Sequence, residues 1–207
     1  MRGVSSAVRF LTPLLGLCPE IGAVRLIDKG TTIVFEFYLN KAFPTDRLRE
    51  WIKDIKAAYD SYFFVSGIAD YYINAGRAHS VSRSTESMSD GSLKKVCDYD
   101  DFPELIEAIN SSSALEVERD IASLSYEEIS MLMNLMSEEF KESLVRSKCS
   151  AEDASALVQQ LRHNLDLLRE EVRTNVNEKG DIIEQIPNII GYCDDMRIVV
   201  SYANKQK

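Results

Sequence analysis

Only two histidines, His79 and His163, stand ready to activate a serine or cysteine nucleophile. His163 falls at an outward position of a helical heptad, and His79 sits in a serine-rich run, so neither is placed as a base. Asp98, Asp100 and Asp101 form the densest carboxylate cluster, the kind of set a hard cation selects. The calcium-loop template fails there, because its fifth position is Phe102 and its sixth is Pro103 where glycine is required. A helix start explains the run better, with Asp101 as N-cap and Glu104 three residues on, leading into Leu105, Ile106 and Ile109.

Cys18, Cys97, Cys149 and Cys193 are too far apart for a C-x-x-C pair, and with only two histidines no zinc quartet is visible in the spacing. Four isolated cysteines point to a reducing compartment. Neither phosphate-cradling glycine motif, G-x-x-x-x-G-K-[ST] or G-x-G-x-x-G, is present. Tyr59, Tyr62, Tyr71 and Tyr72 are an aromatic group suited to a small-molecule pocket or to core packing. On this reading no catalytic residue, cofactor or metal ligand is nominated.

The chain is organised around residues 125–176, which read as two long amphipathic helices, 125–148 and 151–176, joined by a turn at 147–150. Ser125 and Glu128 make a capping box, with Leu124 and Ile129 placed as a hydrophobic staple. Ile129, Met133, Met136 and Phe140 continue the inward stripe of the first helix. The second carries Ala154, Val158, Leu161, Leu165, Leu168 and Val172 at heptad spacing, flanked by Arg162, Arg169 and Glu171. A stripe that long must be buried, against the chain itself or against another subunit. Val158, Leu161, Leu165, Leu168 and Val172 are therefore the candidate partner-binding residues.

Earlier in the chain, Val4, Val8, Leu11 and Leu15 share a helical face. The apolar run 10–18 is interrupted by Pro13, falls far short of a membrane span, and lacks the small residue a lipoprotein cleavage box needs before Cys18. Ile21–Asp28 and Thr31–Leu39 read as a hairpin around Lys29-Gly30. Thr45 then caps a helix over 45–60 whose inward face is Leu48, Trp51, Ile52, Ile55 and Tyr59, with Arg49, Lys53 and Lys56 on a solvated face. A third strand is expected over 62–74. Residues 75–92 hold many serines and almost no large apolar side chain, the composition of a flexible linker or lid. A short strand at 93–97, a short helix or turn over 182–190 and a returning strand at 196–202 complete the chain.

The expected fold is α+β, a small antiparallel or mixed sheet with strands near 21–28, 31–39, 62–74, 93–97 and 196–202, a covering helix and the helical hairpin. Its organisation would be an α+β segment over 1–76, a linker over 77–92 and a hairpin segment over 93–207, or one composite domain. Of 207 residues, 45% are hydrophobic and 28% charged, ordinary values for a globular protein. The net charge of −9 is concentrated after residue 76, since nine Lys and Arg balance eight Asp and Glu before it. That acidity disfavours nucleic acid and anionic membrane as partners. The expectation is a cytoplasmic, non-enzymatic interaction factor, binding a protein partner or itself as a homodimer. The rival is a ligand-binding or enzymatic domain with a pocket at the 59–72 aromatics and a lid at 75–92.

Overall fold

The computed structural model describes residues 6–40, 44–68, 72–77, 113–148, 154–174, 188–194 and 196–202. The strand expected at 93–97, the helix start at Asp101, His79, Cys97, Cys149 and nearly all of the serine-rich run lie outside them.

Strands β1 (Ala23–Ile27), β2 (Thr32–Leu39), β3 (Ile73–Arg77), β4 (Ser113–Asp120), β5 (Ile189–Asp194) and β6 (Arg197–Tyr202) form one sheet in the order β3-β4-β2-β1-β5-β6. Every ladder is antiparallel. Helices α1 (Ser6–Leu17), α2 (Thr45–Ser66), α3 (Tyr126–Phe140) and α4 (Ala154–Thr174) complete an α+β fold. No helix among the described residues is long and apolar enough to cross a membrane.

Period-two alternation decides which sheet face the helices cover. Val24, Leu26, Ile33, Phe35, Phe37, Leu115 and Val117 point one way and join the inward residues of all four helices in a single core. The other face carries a smaller cluster of Ala23, Tyr38 and Ala114, with Tyr192 packed against it. The β1–β2 hairpin forms as its pattern requires, through a tight turn at Asp28–Gly30 in which Gly30 takes φ 84°.

The covering helix differs from expectation in its cap and in its C-terminal end. It begins at Thr45 with Pro44 in the cap position, and it runs on through Ser66. The strand expected at 62–74 therefore starts only at Ile73. Tyr59, Tyr62 and Phe63 keep helical spacing against the core, and Gly67, at φ 70°, supplies the left-handed residue that ends the helix. Two strands replace other readings. Residues 113–120, to which the sequence reading assigned no strand, are β4, and the segment expected as a helix or turn over 182–190 enters β5 at Ile189.

The first of the two long helices is also shorter than expected. It stops at Phe140, not 148, because the chain after it becomes an extension of the sheet. Leu144 bridges Leu39, the Asn40 N–H donates to the Ser143 carbonyl (2.8 Å), and the Val145 N–H donates to the Tyr38 carbonyl (2.8 Å). The second helix keeps its seam and lays it along α1. Leu161, Leu165, Leu168 and Val172 are buried in the main core, and Val158 is half-buried.

Candidate functional site

The densest polar constellation among the described residues is built on β4. Leu115, Val117 and Arg119 share its inward face, so the strand's alternation drives a guanidinium into the core. Arg119 is fully buried. Its Nε donates to Glu128 Oε1, and its Nη2 donates to Glu128 Oε2 (3.1 Å) and Ser123 Oγ (3.0 Å). Its Nη1 donates to Asp120 Oδ1 and to the Tyr72 carbonyl. Phe63 lies 4.9 Å and Tyr59 6.0 Å from the guanidinium carbon, measured to the ring centroids.

Local geometry places each partner. Ser125 caps α3 by accepting from the Glu128 N–H (3.1 Å), half of the capping box read from sequence. The other half is replaced, since the Glu128 carboxylate, also fully buried, turns to Arg119. Asp120 closes a turn by accepting from the Ser123 N–H (3.0 Å) and from the Tyr72 N–H (2.9 Å).

These surroundings set the ionisation. Burial works to raise the Asp120 carboxyl, but the Ser123 hydroxyl, the Tyr72 N–H and the Arg119 charge outweigh it and hold it below its ordinary value. Burial pushes the Glu128 carboxyl up against the opposing pull of Arg119. Burial, with the nearby Glu128 charge, keeps the Tyr59 phenol well above its usual range. The guanidinium has five N–H groups and makes five bonds. No N–H of Arg119 remains to receive an anion, and its bonds join β4 to the start of α3 and to the residue before β3.

A second pair lies on the opposite face of the sheet. Arg25 on β1 donates to Glu36 on β2 and to Glu116 on β4 (2.5 Å), and the Tyr38 hydroxyl donates to Glu36 (3.1 Å). Gly22 makes room for that tyrosine, since a Cβ there would stand 2.4 Å from the ring.

The residues singled out from sequence are dispersed. The aromatic group divides: Tyr59 and Phe63 are taken up by Arg119, Tyr62 donates to or accepts from Ser125 Oγ (2.7 Å), and Tyr72 reaches Glu118 (2.9 Å) on the outward face. His163 is exposed on α4, and Arg49, Lys53 and Lys56 are exposed on α2. Arg162 stacks 4.4 Å over the Tyr126 ring and pairs with Glu127 (2.9 Å), so the flank of the seam reaches the start of α3. The seam residues Leu161, Leu165, Leu168 and Val172 face the chain's own interior.

A different surface stands out at the end of α2. Phe64 is 88% and Val65 85% exposed, side by side, while their neighbour Phe63 is buried. The N–H groups of Gly67 and Ile68 both turn back to the Phe63 carbonyl and close the helix beneath the pair. Against known protein families, curated proteins and solved structures, the chain matches nothing.

Sequence reasoning missed Arg119 and the Phe64–Val65 pair. For the first, the run Leu115-Glu-Val-Glu-Arg-Asp120 does alternate, with an arginine where an apolar residue belongs. For the second, carrying the helix on to Gly67 would have put both residues off its inward stripe.

Proposed function

We propose that this protein is a non-enzymatic protein–protein interaction factor, an adaptor that docks its partner on the end of α2. The observation that carries the reading is the near-complete exposure of Phe64 and Val65. Single exposed apolar side chains need no explanation, but two adjacent ones that include an aromatic form the kind of exposed apolar surface that an interface covers. Exposed Asp60, Ser61 and Ser66 supply a polar rim around it. The α4 seam is less suited to the task, because Leu161, Leu165 and Leu168 are spent on internal packing. The saturated bonding of Arg119 and the use of Tyr59 and Phe63 as its packing partners argue against a pocket at the aromatic group.

A photo-crosslinking residue at Ser61 tests the proposal in an extract of the source cells. The protein carrying native Phe64 and Val65 should capture a discrete partner, and Phe64→Asp with Val65→Ser should abolish that capture. Because both side chains are exposed, the double variant should melt within about 0.5 kcal/mol of the parent stability. Equal capture by a folded double variant would sink the proposal.

A further inference from the structure

The sheet has two open ends among the described residues, β3 and β6, and they differ in kind. β3 is a weak edge: five residues, Ile-Asn-Ala-Gly-Arg, with Asn74 tied by its amide to Glu118 (3.2 Å). β6 is six residues, Arg-Ile-Val-Val-Ser-Tyr, with three consecutive β-branched side chains and no glycine, proline, lysine or acidic residue. It pairs with β5 along its whole length, and no described strand pairs with its outer edge. Edges in folded proteins are ordinarily guarded by charge, proline or a bulge, and β6 carries a lone arginine at its first position.

We infer that β6 is a self-association edge, on which a second copy of this chain pairs its own β6 antiparallel across a two-fold axis. The sequence of the strand is self-complementary for that arrangement. A two-fold perpendicular to the sheet keeps every side chain on its own face, so paired positions must have the same parity. Centred on Val199, the register sets Val199 against itself, Ile198 against Val200 and Arg197 against Ser201. No like charges oppose one another, and β-branched pairs of this kind favour the ladder. The same register brings Met196 of one copy toward Tyr202 of the other. These two, 77% and 50% exposed, stand at opposite ends of β6, and the two-fold would cover both. The result is one continuous sheet of twice six strands, an isologous contact of the commonest oligomeric symmetry. A six-residue strand pair alone is smaller than the ~1,200 Å² of stable complexes, so association should depend on concentration in the micromolar range.

The test is sedimentation equilibrium of the reduced full chain over a concentration series reaching about 100 µM, well above a micromolar dissociation constant. The expected mass rises from 23.4 kDa toward twice that value. Val199→Lys, which sets two ammonium groups against each other at the axis, should remain monomeric throughout. A parent chain that stays monomeric, or a dimer that survives Val199→Lys, overturns the inference. If the lysine variant does not fold, Val199→Cys decides. Directly opposed strand positions bring Cβ atoms within reach of a disulfide, so mild oxidation should yield a covalent dimer absent from the parent chain. Failure to form it overturns the inference. Changes at Phe64 and Val65 should leave the mass series unaltered, which separates this edge from the α2 surface.

Discussion

Asn164 on α4 donates from Nδ2 to the carbonyl oxygen of Arg9 on α1 at 2.7 Å, and Pro13 is the reason that carbonyl is free to accept. In a regular helix the Arg9 oxygen would receive the N–H of residue 13, which proline lacks. The buried amide of Asn164 supplies the missing donor from the neighbouring helix. Together with the bond from Ser6 Oγ on α1 to Glu171 on α4, the pair fixes the register of the two helices.

Removing that donor should be costly in one background and cheap in another. Asn164→Ala removes the donor that serves the Arg9 carbonyl and is expected to lower stability by about 0.5–1.5 kcal/mol. In a Pro13→Ala chain the helix regains its own N–H, so the same change should cost at least ~0.5 kcal/mol less. Urea denaturation of the four proteins gives the coupling directly. Additive effects would mean that Asn164 does not serve the carbonyl that Pro13 releases.

The Arg119–Glu128 pair makes the opposite kind of prediction, because both side chains are wholly buried. Arg119→Met strands the Glu128 carboxylate in the core, and breaking a buried pair in this way costs about 3–5 kcal/mol. Adding Glu128→Leu removes the stranded charge and should recover most of the loss. Asp120 tolerates the double change because the Ser123 and Tyr72 N–H groups still bond it. A single variant that loses less than ~1 kcal/mol would show that the pair contributes little to the fold.

Local rules made much of this architecture legible. The β1–β2 hairpin follows from alternation and a glycine turn, both contained in one short stretch. The inward stripes of α2 and α4 follow from helical spacing. What covers a stripe does not follow, since periodicity defines a face and is silent on its mate. The α4 seam is met by α1, whose contact residues Arg9 and Asn164 are 155 positions apart. β4 was hidden because its inward Arg119 becomes acceptable only when Glu128 arrives from the next helix. β5 was hidden by Gly191, where a Cβ would come within 3.1 Å of Leu15 on α1, so the close approach of that helix removes a strand-forming side chain. The α2 surface was hidden by the aromatic run Tyr62–Val65, whose composition favours strands while Gly67 caps it as a helix.

Cys18 offers a test in which only pH is varied. It is buried at the end of α1, and burial, reinforced by the Glu20 charge, pushes its thiol up to about 12. An unfolded cysteine ionises near ~8.5. Between those values the unfolded chain has released this proton and the folded chain still holds it. Stability contributed by the neutral thiol is therefore intact below about pH 8.5 and lost as pH rises, by up to ~1.4 kcal/mol per pH unit. Cys18→Ala has no such proton, so the stability difference between parent and variant should shift in the variant's favour from pH 8 to pH 10. Urea midpoints at the two pH values measure that shift. The same burial should make the folded Cys18 thiol at least ~10³-fold slower toward iodoacetamide at pH 8 than in urea, since the thiolate is the reactive form. Rapid labelling of the Cys18 peptide in the folded protein, with no alkaline loss of stability relative to Cys18→Ala, would contradict both expectations.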